Sequence, residues 1–267
     1  MCVQASPAPP KSPCSSQSCG CGGHGPKTKP APDPRAILAL RFDGQAEACH
    51  CRGHACPRHY LAYTGMLLAG FLLLHLTLNS LAQWPDKFQD AVNHNHALGG
   101  LLPVAEVGLI FLPLAIHAAF GLRTLRREKL KFGVDKHHHG SDLRQWLQRC
   151  SAVVLLTFIL FHLATLHRWL GGRFDPHNAY ASVAHAVWQF WPNLPAHHPA
   201  NLLIADFYLL AIVAAVYHLA NGIATGAEVL GWVKTATAQR RLWHFCLGGA
   251  LGLFLAGLTA WNALAIK

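Results

Sequence analysis

Charge is what this sequence has least of. Only 13% of its 267 residues are charged while 52% are hydrophobic, whereas an ordinary soluble domain carries about 25% charged residues. A disordered chain would be polar and charge-rich, so that class is excluded for most of the sequence and an integral membrane protein leads. Acidic residues are scarcer still, 12 against 22 Lys and Arg, for a formal net charge of +10. That excess would point to nucleic acid or an anionic surface if the basic residues clustered on a soluble fold. Where they fall therefore decides the partner. Histidine runs the other way, with 19 in a chain so poor in polar residues.

A helix needs about 20 apolar residues to cross a hydrocarbon core of roughly 30 Å. Five stretches meet that requirement, at about Tyr60 to Ala82, Gly100 to Leu122, Leu147 to Leu170, Asn201 to Trp232 and Leu242 to Ile266. They are too long for strands and lack the two-residue alternation of a membrane barrel. The expectation is an all-α membrane protein with five transmembrane helices, a four-helix bundle plus a fifth. Lys and Arg are retained on the cytoplasmic side. Seven lie before the first span, eight between the second and third and three between the fourth and fifth, 18 of the 22. The N-terminus is therefore expected in the cytoplasm and the C-terminus outside, in a multi-pass protein of the cytoplasmic membrane. On this reading the charge marks orientation and a docking face, and no nucleic acid partner is expected.

Residues 1–56 have no continuous apolar run and are dominated by Pro, Ser, Gly and Lys. A secretory signal is not expected there; a disordered cytoplasmic extension is, with the transmembrane domain at 57–267. The extension holds Cys2, Cys14, Cys19, Cys21, Cys49, Cys51 and Cys56, interleaved with His24, His50 and His54. Reduced thiols on the cytoplasmic side argue against disulfides and leave zinc or another soft metal open. Cys49-x-Cys51-x4-Cys56 is not a common zinc spacing, and a flexible reduced tail is the simpler reading. Lys136-His137-His138-His139-Gly140 likewise reads as an exposed polar loop, and Cys150 and Cys246 as small apolar fillers.

Ionisable residues within lipid are rare and usually face the bundle interior with a partner. Four spans carry one histidine each well inside the apolar stretch: His75, His117, His162 and His218. Taken singly, each reads as a neutral imidazole bonded to a neighbouring helix. Their depths say more. His75 and His162 lie about 15 residues into helices that run outward, and His117 and His218 about 17 into helices that run inward, giving two levels roughly 15 Å apart. Local phrasing pairs them the same way. Phe71-Leu72-Leu73-Leu74-His75-Leu76 parallels Phe158-Ile159-Leu160-Phe161-His162-Leu163, and Gly121 follows His117 by the same four residues as Gly222 follows His218. A glycine one turn away on the same face leaves room for a large flat ligand. Two imidazoles per level suit the axial positions of a haem iron, and such ligation leaves no open position, which serves electron transfer rather than oxygen chemistry. A metal or proton transporter is the competing class. It would gather ligands at one depth with carboxylates beside them, whereas Glu106, Asp206 and Glu228 lie away from both levels.

The run Ile110-Phe111-Leu112-Pro113-Leu114-Ala115-Ile116-His117-Ala118-Ala119-Phe120-Gly121, the Gln148-Arg149 pair and Tyr217-His218-Leu219-Ala220-Asn221-Gly222 resemble the dihaem cytochrome b membrane anchor of succinate dehydrogenases and fumarate reductases, in its five-helix single-anchor form. The resemblance implies that His75 and His162 ligate a distal haem b, and His117 and His218 a proximal one. It implies as partners a flavoprotein subunit, where succinate and fumarate interconvert, and an iron-sulfur subunit on the cytoplasmic face. Electrons would then pass through the proximal and distal haems to a quinone, usually menaquinone, with no dicarboxylate site in this chain. The Cys-rich extension departs from the family's short N-terminus. Some relatives carry a glutamate just before the fourth-helix ligand that returns protons across the membrane; Ala214-Ala215-Val216-Tyr217 stands there instead, and that pathway is not expected. The anchor of a hydrogenase or formate dehydrogenase is the nearer alternative.

Quinone chemistry needs a protonatable group beside a haem and a route to water. Glu106 first and Asp206 second, near the outer ends of their spans, are the candidates for an outer quinone site, with His94 and His96 in the adjoining loop. A carboxylate at the headgroup level is the plain alternative. At inner helix ends, Arg123, Arg149 and Lys234 either meet proximal haem propionates or snorkel to lipid phosphate.

Overall fold

The structure, a computed structural model, describes residues 57–96, 99–127, 139–167 and 172–265. The Cys-rich extension and most of the Lys136 to Gly140 run lie outside them. All regular elements among the described residues are helices. Besides two short 3-10 turns they are, in chain order, α1 (Pro57–Ser80), α2 (Pro85–His96), α3 (Leu101–Ala105), a π segment (Glu106–Phe111), α4 (Leu112–Arg127), α5 (His139–Leu166), α6 (Ala179–Trp188), α7 (Pro199–Val229) and α8 (Ala236–Ala265). Five stretches are long and apolar enough to cross a membrane: Arg58–Gln83, Leu101–Arg126, Leu143–Leu166, Pro199–Val229 and Ala236–Ala265. The all-α, five-span architecture is as expected.

Two details differ. The third helix begins at His139 and stops at Leu166, short of Leu170. It ends where Gly172 N–H turns back to the His167 carbonyl at 3.0 Å and Arg173 N–H to the Thr165 carbonyl at 3.0 Å. The connections at the end of the bundle that the charge bias assigns to the outside, called the outer end below, are also helical. In α2, Pro85 opens the first turn and Asp86 sits at its positive end, both favourable to a helix start. Phe88, Ala91 and Val92 recur at helical spacing and turn inward.

The second span is continuous but not uniform. Pro113 has no N–H for the Leu109 carbonyl four residues back, and ahead of it the backbone widens. Leu112 N–H bonds to the Val107 carbonyl, five residues away, the bonding of a π turn.

α7 is the central helix, packed on α1, α5 and α8. Lipid supplies no hydrophobic drive between helices, so close van der Waals contact has to hold them together, and small residues allow it. Ala205, Ala211, Ala214, Ala215, Ala220 and Ala224 are all buried on α7. A Cβ on Gly226 would stand 3.1 Å from Met66 Sδ, and one on Gly257 would stand 3.0 Å from Ile212 Cγ2.

The outer end is closed by polar ties. Gln89 on α2 donates to the Pro176 carbonyl at 2.7 Å and accepts from Ala179 N–H at 2.9 Å. Tyr180 on α6 donates to the Ala263 carbonyl of α8 at 2.9 Å. Asn201, 0% exposed, pins the loop before α7 by accepting from Trp191 N–H at 2.9 Å and donating to the Pro195 carbonyl at 3.0 Å. Asn201→Leu strands both backbone groups. It is expected to cost about 2–3 kcal/mol, read as a lowered Tm of the detergent-solubilised protein.

Candidate functional site

The structure brings the four span histidines together in two pairs. At the outer level the rings of His75 on α1 and His162 on α5 have centroids 6.1 Å apart, crossed at 86°. At the inner level His117 on α4 and His218 on α7 stand 6.4 Å apart, crossed at 82°. No group of three or more His, Cys, Asp or Glu side chains that could hold one metal ion gathers among the described residues, so the ligand set at each level is a pair of imidazoles.

Hydroxyl groups orient the inner pair. Thr64 Oγ1 gives its proton to the Tyr60 carbonyl at 2.7 Å and lies 3.2 Å from His117 Nδ1. With that proton committed, the oxygen can only accept, so Nδ1 carries the hydrogen and Nε2 keeps the lone pair. Ser151 repeats the arrangement on α5: Oγ donates to the Gln148 carbonyl at 3.0 Å and stands 3.2 Å from His218 Nδ1. Fixing one ring nitrogen through a hydrogen bond is how a protein presents the other as a metal ligand. The close approach of α1 to this level depends on Gly65, whose Cβ, if present, would meet His117 Cε1 at 3.1 Å.

A polar chain leads from His218 to the inner end. Gln148 Nε2 is 3.3 Å from His218 Nε2, Gln148 Oε1 accepts from Asn221 Nδ2 at 2.9 Å, and Asn221 Oδ1 accepts from Arg144 Nε at 3.2 Å. The guanidinium lies over the Trp243 ring at 4.7 Å. Arg144, unlike the exposed Arg123 and Lys234, is thus a cation tied to this level. Of the two expected glycines, Gly121 opens onto free space, and a Cβ on Gly222 would come no nearer than 3.8 Å to Gln148 Nε2.

The outer pair is framed by aromatic rings instead. Phe71 stacks on His75 at 5.3 Å and Phe158 on His162 at 5.4 Å, each one turn before its histidine. His162 Nδ1 is buried without a hydrogen-bond partner among the described residues. A cavity of about 250 Å³ opens between the two rings and α2, lined also by Asn79, Asn95, Phe88 and His167.

Glu106 does not line that cavity; its Oε2 lies 3.6 Å from Nε2 of His167, which does. Asp206 is exposed on α7 and outside the cavity wall. His94 is exposed on α2.

The chain is similar to a succinate dehydrogenase subunit. Over 194 residues it is 26% identical to the succinate dehydrogenase cytochrome b558 subunit of Bacillus subtilis (strain 168), a match that covers 71% of this chain and 86% of the relative. No family model matches.

Thr64, Gly65, Ser151, Arg144 and His167 were not singled out from the sequence. A signal for two of them is there: Thr64 precedes His75, and Ser151 precedes His162, by the same 11 residues. Eleven residues make just over three full turns, so hydroxyl and histidine share a face roughly 16 Å apart along the helix. α1 and α5 each carry a ligand-type residue for the outer level and an orienting hydroxyl for the inner one. His167 and Arg144 have no such signal, since a polar residue near a span end looks the same whether it faces lipid headgroups or the bundle.

Proposed function

We propose that this chain is the membrane-anchoring cytochrome b subunit of a succinate:quinone oxidoreductase, carrying electrons between a cytoplasmic iron-sulfur subunit and membrane quinone. The observation that carries the reading is the spacing of the histidine pairs. An iron at the roughly 2 Å of a metal–imidazole bond from each ring holds the ring centres about 6 Å apart, and both pairs stand at that separation. The similarity to a relative named as a succinate dehydrogenase cytochrome b558 subunit supports it.

On this reading His75 and His162 hold the distal haem b, and His117 and His218 the proximal one. Bis-imidazole iron supplies one-electron exchange and offers no open position for oxygen. The chain's own contribution is orientation. Thr64 and Ser151 set the tautomer of the inner ligands, Gly65 admits the His117 ring, and Arg144, through Asn221 and Gln148, brings positive charge to the inner level where propionates would lie. Phe71 and Phe158 keep water from the outer ligands. The basic bias of the cytoplasmic segments orients the N-terminus inward and offers a docking face to the iron-sulfur subunit, with a flavoprotein subunit beyond it.

Quinone, menaquinone in this proposal, is taken on the outer side, where Glu106 is the carboxylate connected to the cavity and Asp206 the more remote one. Replacing Glu106 by Gln is expected to lower quinone turnover several-fold and to weaken inhibition by quinone analogues. Unchanged turnover and inhibition would remove Glu106 from the site. Copurification of the chain with a covalent-flavin subunit tests the choice of complex, and copurification with a nickel–iron or molybdenum subunit would assign it elsewhere.

A further inference from the structure

The outer cavity opens to one side of its histidine pair. Along α1 and α5, and just past the end of α5, its other wall members are Leu78, Asn79, Leu163, Leu166 and His167, each later in the chain than the histidine of its own stretch. The rest belong to α2 and to the segment around Phe174 and Val183, so all of them lie toward the outer end. With a haem between His75 and His162, this space is the cofactor's own, and the side chains that line it are the ones the cofactor touches.

Haem b carries its two carboxylates on one edge, while the rest of its rim is apolar. A carboxylate taken out of water needs hydrogen-bond donors or a positive charge beside it. Among the described residues no Lys or Arg stands on the wall; beside the pair, its polar side chains are Asn79, Asn95 and His167. Asn79 gives its amide to the His75 carbonyl at 2.8 Å. His167 is thus the wall group outside the pair that can carry positive charge, and a charged imidazole donates from both nitrogens. It follows His162 by five residues, roughly 8 Å along the helix, close to the reach of a porphyrin carboxylate from its iron.

The ring is held from outside the cavity. Glu106 Oε2 lies 3.6 Å from Nε2, and the Phe111 ring meets the imidazole edge-on at 5.2 Å and 76°. These two are the first and last residues of the π segment. Residues five apart are turned about 140° from each other in an α-helix, and i→i+5 bonding brings them onto one side. His167 N–H also bonds to the Leu163 carbonyl at 2.9 Å, and its carbonyl accepts from Gly172 N–H at 3.0 Å.

We infer that His167 binds a carboxylate of the outer haem, and that Glu106 and Phe111 hold its imidazole in place for that contact. The assignment rests on the two-haem proposal above and names the polar contact of its outer site. Glu106 then acts on the haem only through His167.

The test uses the purified complex with haem isotopically labelled at its propionate carboxyl carbons, made by growing cells on labelled aminolevulinate. Redox-difference infrared spectra identify the propionate bands as those that move with the label. In His167→Leu these bands should shift from their wild-type positions, with both haems retained because the axial pairs are intact. Losing a donor from an anionic edge favours ferric iron, so the midpoint potential of the outer haem should fall. The expected change is about tenfold in the reduced-to-oxidised ratio at a fixed potential, the scale of one hydrogen bond to a charged group, or about 59 mV for one electron. The inner haem should keep its potential. His167→Gln keeps a donor without the charge, should lower the ratio about threefold on the same scale, and carries the measurement if His167→Leu does not assemble. Label-sensitive bands left in place in the His167 variants would overturn the inference whatever the potential does, and so would an unchanged outer potential. A wild-type complex with no haem at the outer level would overturn the two-haem proposal, and this assignment with it.

Discussion

Replacing His117 with Ala should leave a protein that holds one haem instead of two, with the remaining spectrum that of the outer site. The two levels share no side chain: His117 and His218 meet 6.4 Å apart at one, His75 and His162 6.1 Å apart at the other, and roughly 16 Å of helix separates them. Losing one axial imidazole removes half of a two-ligand site, so the loss is expected to be close to complete. His75→Ala should give the complementary result. Pyridine haemochrome quantification of the purified protein, with low-temperature spectra to tell the sites apart, reads both. Loss of both haems in either variant would show that the levels depend on each other; loss of neither would dismiss the ligand set. Bound metal groups contribute to folding, so a lowered Tm should accompany each loss.

Gly65→Leu should produce the same spectral loss as His117→Ala without touching a ligand. The first side-chain carbon already comes to 3.1 Å of His117 Cε1, and three further carbons add bulk beside the ring. Moving α1 away would break the Thr64–His117 contact of 3.2 Å that fixes the tautomer. The outer level, three turns further along α1, should be untouched. Leucine is a better helix former than glycine by roughly 0.5–1 kcal/mol, so the helix itself does not suffer. Gly65→Ala, needing only a few tenths of an ångström of relief, should keep the inner haem with a perturbed spectrum. A Gly65→Leu protein with two wild-type haem bands would show that α1 does not confine His117.

The spans and the histidine pairs were legible in the sequence because both follow from one-dimensional quantities. Span length follows from the rise per residue, and the level of a histidine from its count along a helix of known direction. The repeated phrase around His75 and His162 carried the rest of the pairing, and in the structure each Phe of that phrase stacks on its own histidine. What stayed hidden depends on azimuth. Thr64 and Ser151 read as ordinary hydroxyls within a span until α4 and α7 are set against them. Arg144 belonged to a basic stretch that looked uniform, although its guanidinium turns inward onto Asn221. Depth alone put Glu106 near the outer end of its span; its neighbour there, His167 at 3.6 Å, and its place off the cavity wall depend on azimuth. α2 was passed over because its apolar residues are few, and three of them suffice to cover the outer pair.

The central claim is that each histidine pair holds one low-spin haem. The reduced-minus-oxidised spectrum of the purified wild-type protein, titrated against potential and calibrated by haemochrome content, tests it most directly. The account predicts two b haems per chain, low-spin in both oxidation states and differing in midpoint potential; a colourless protein, or one with a single haem at full occupancy, would contradict it.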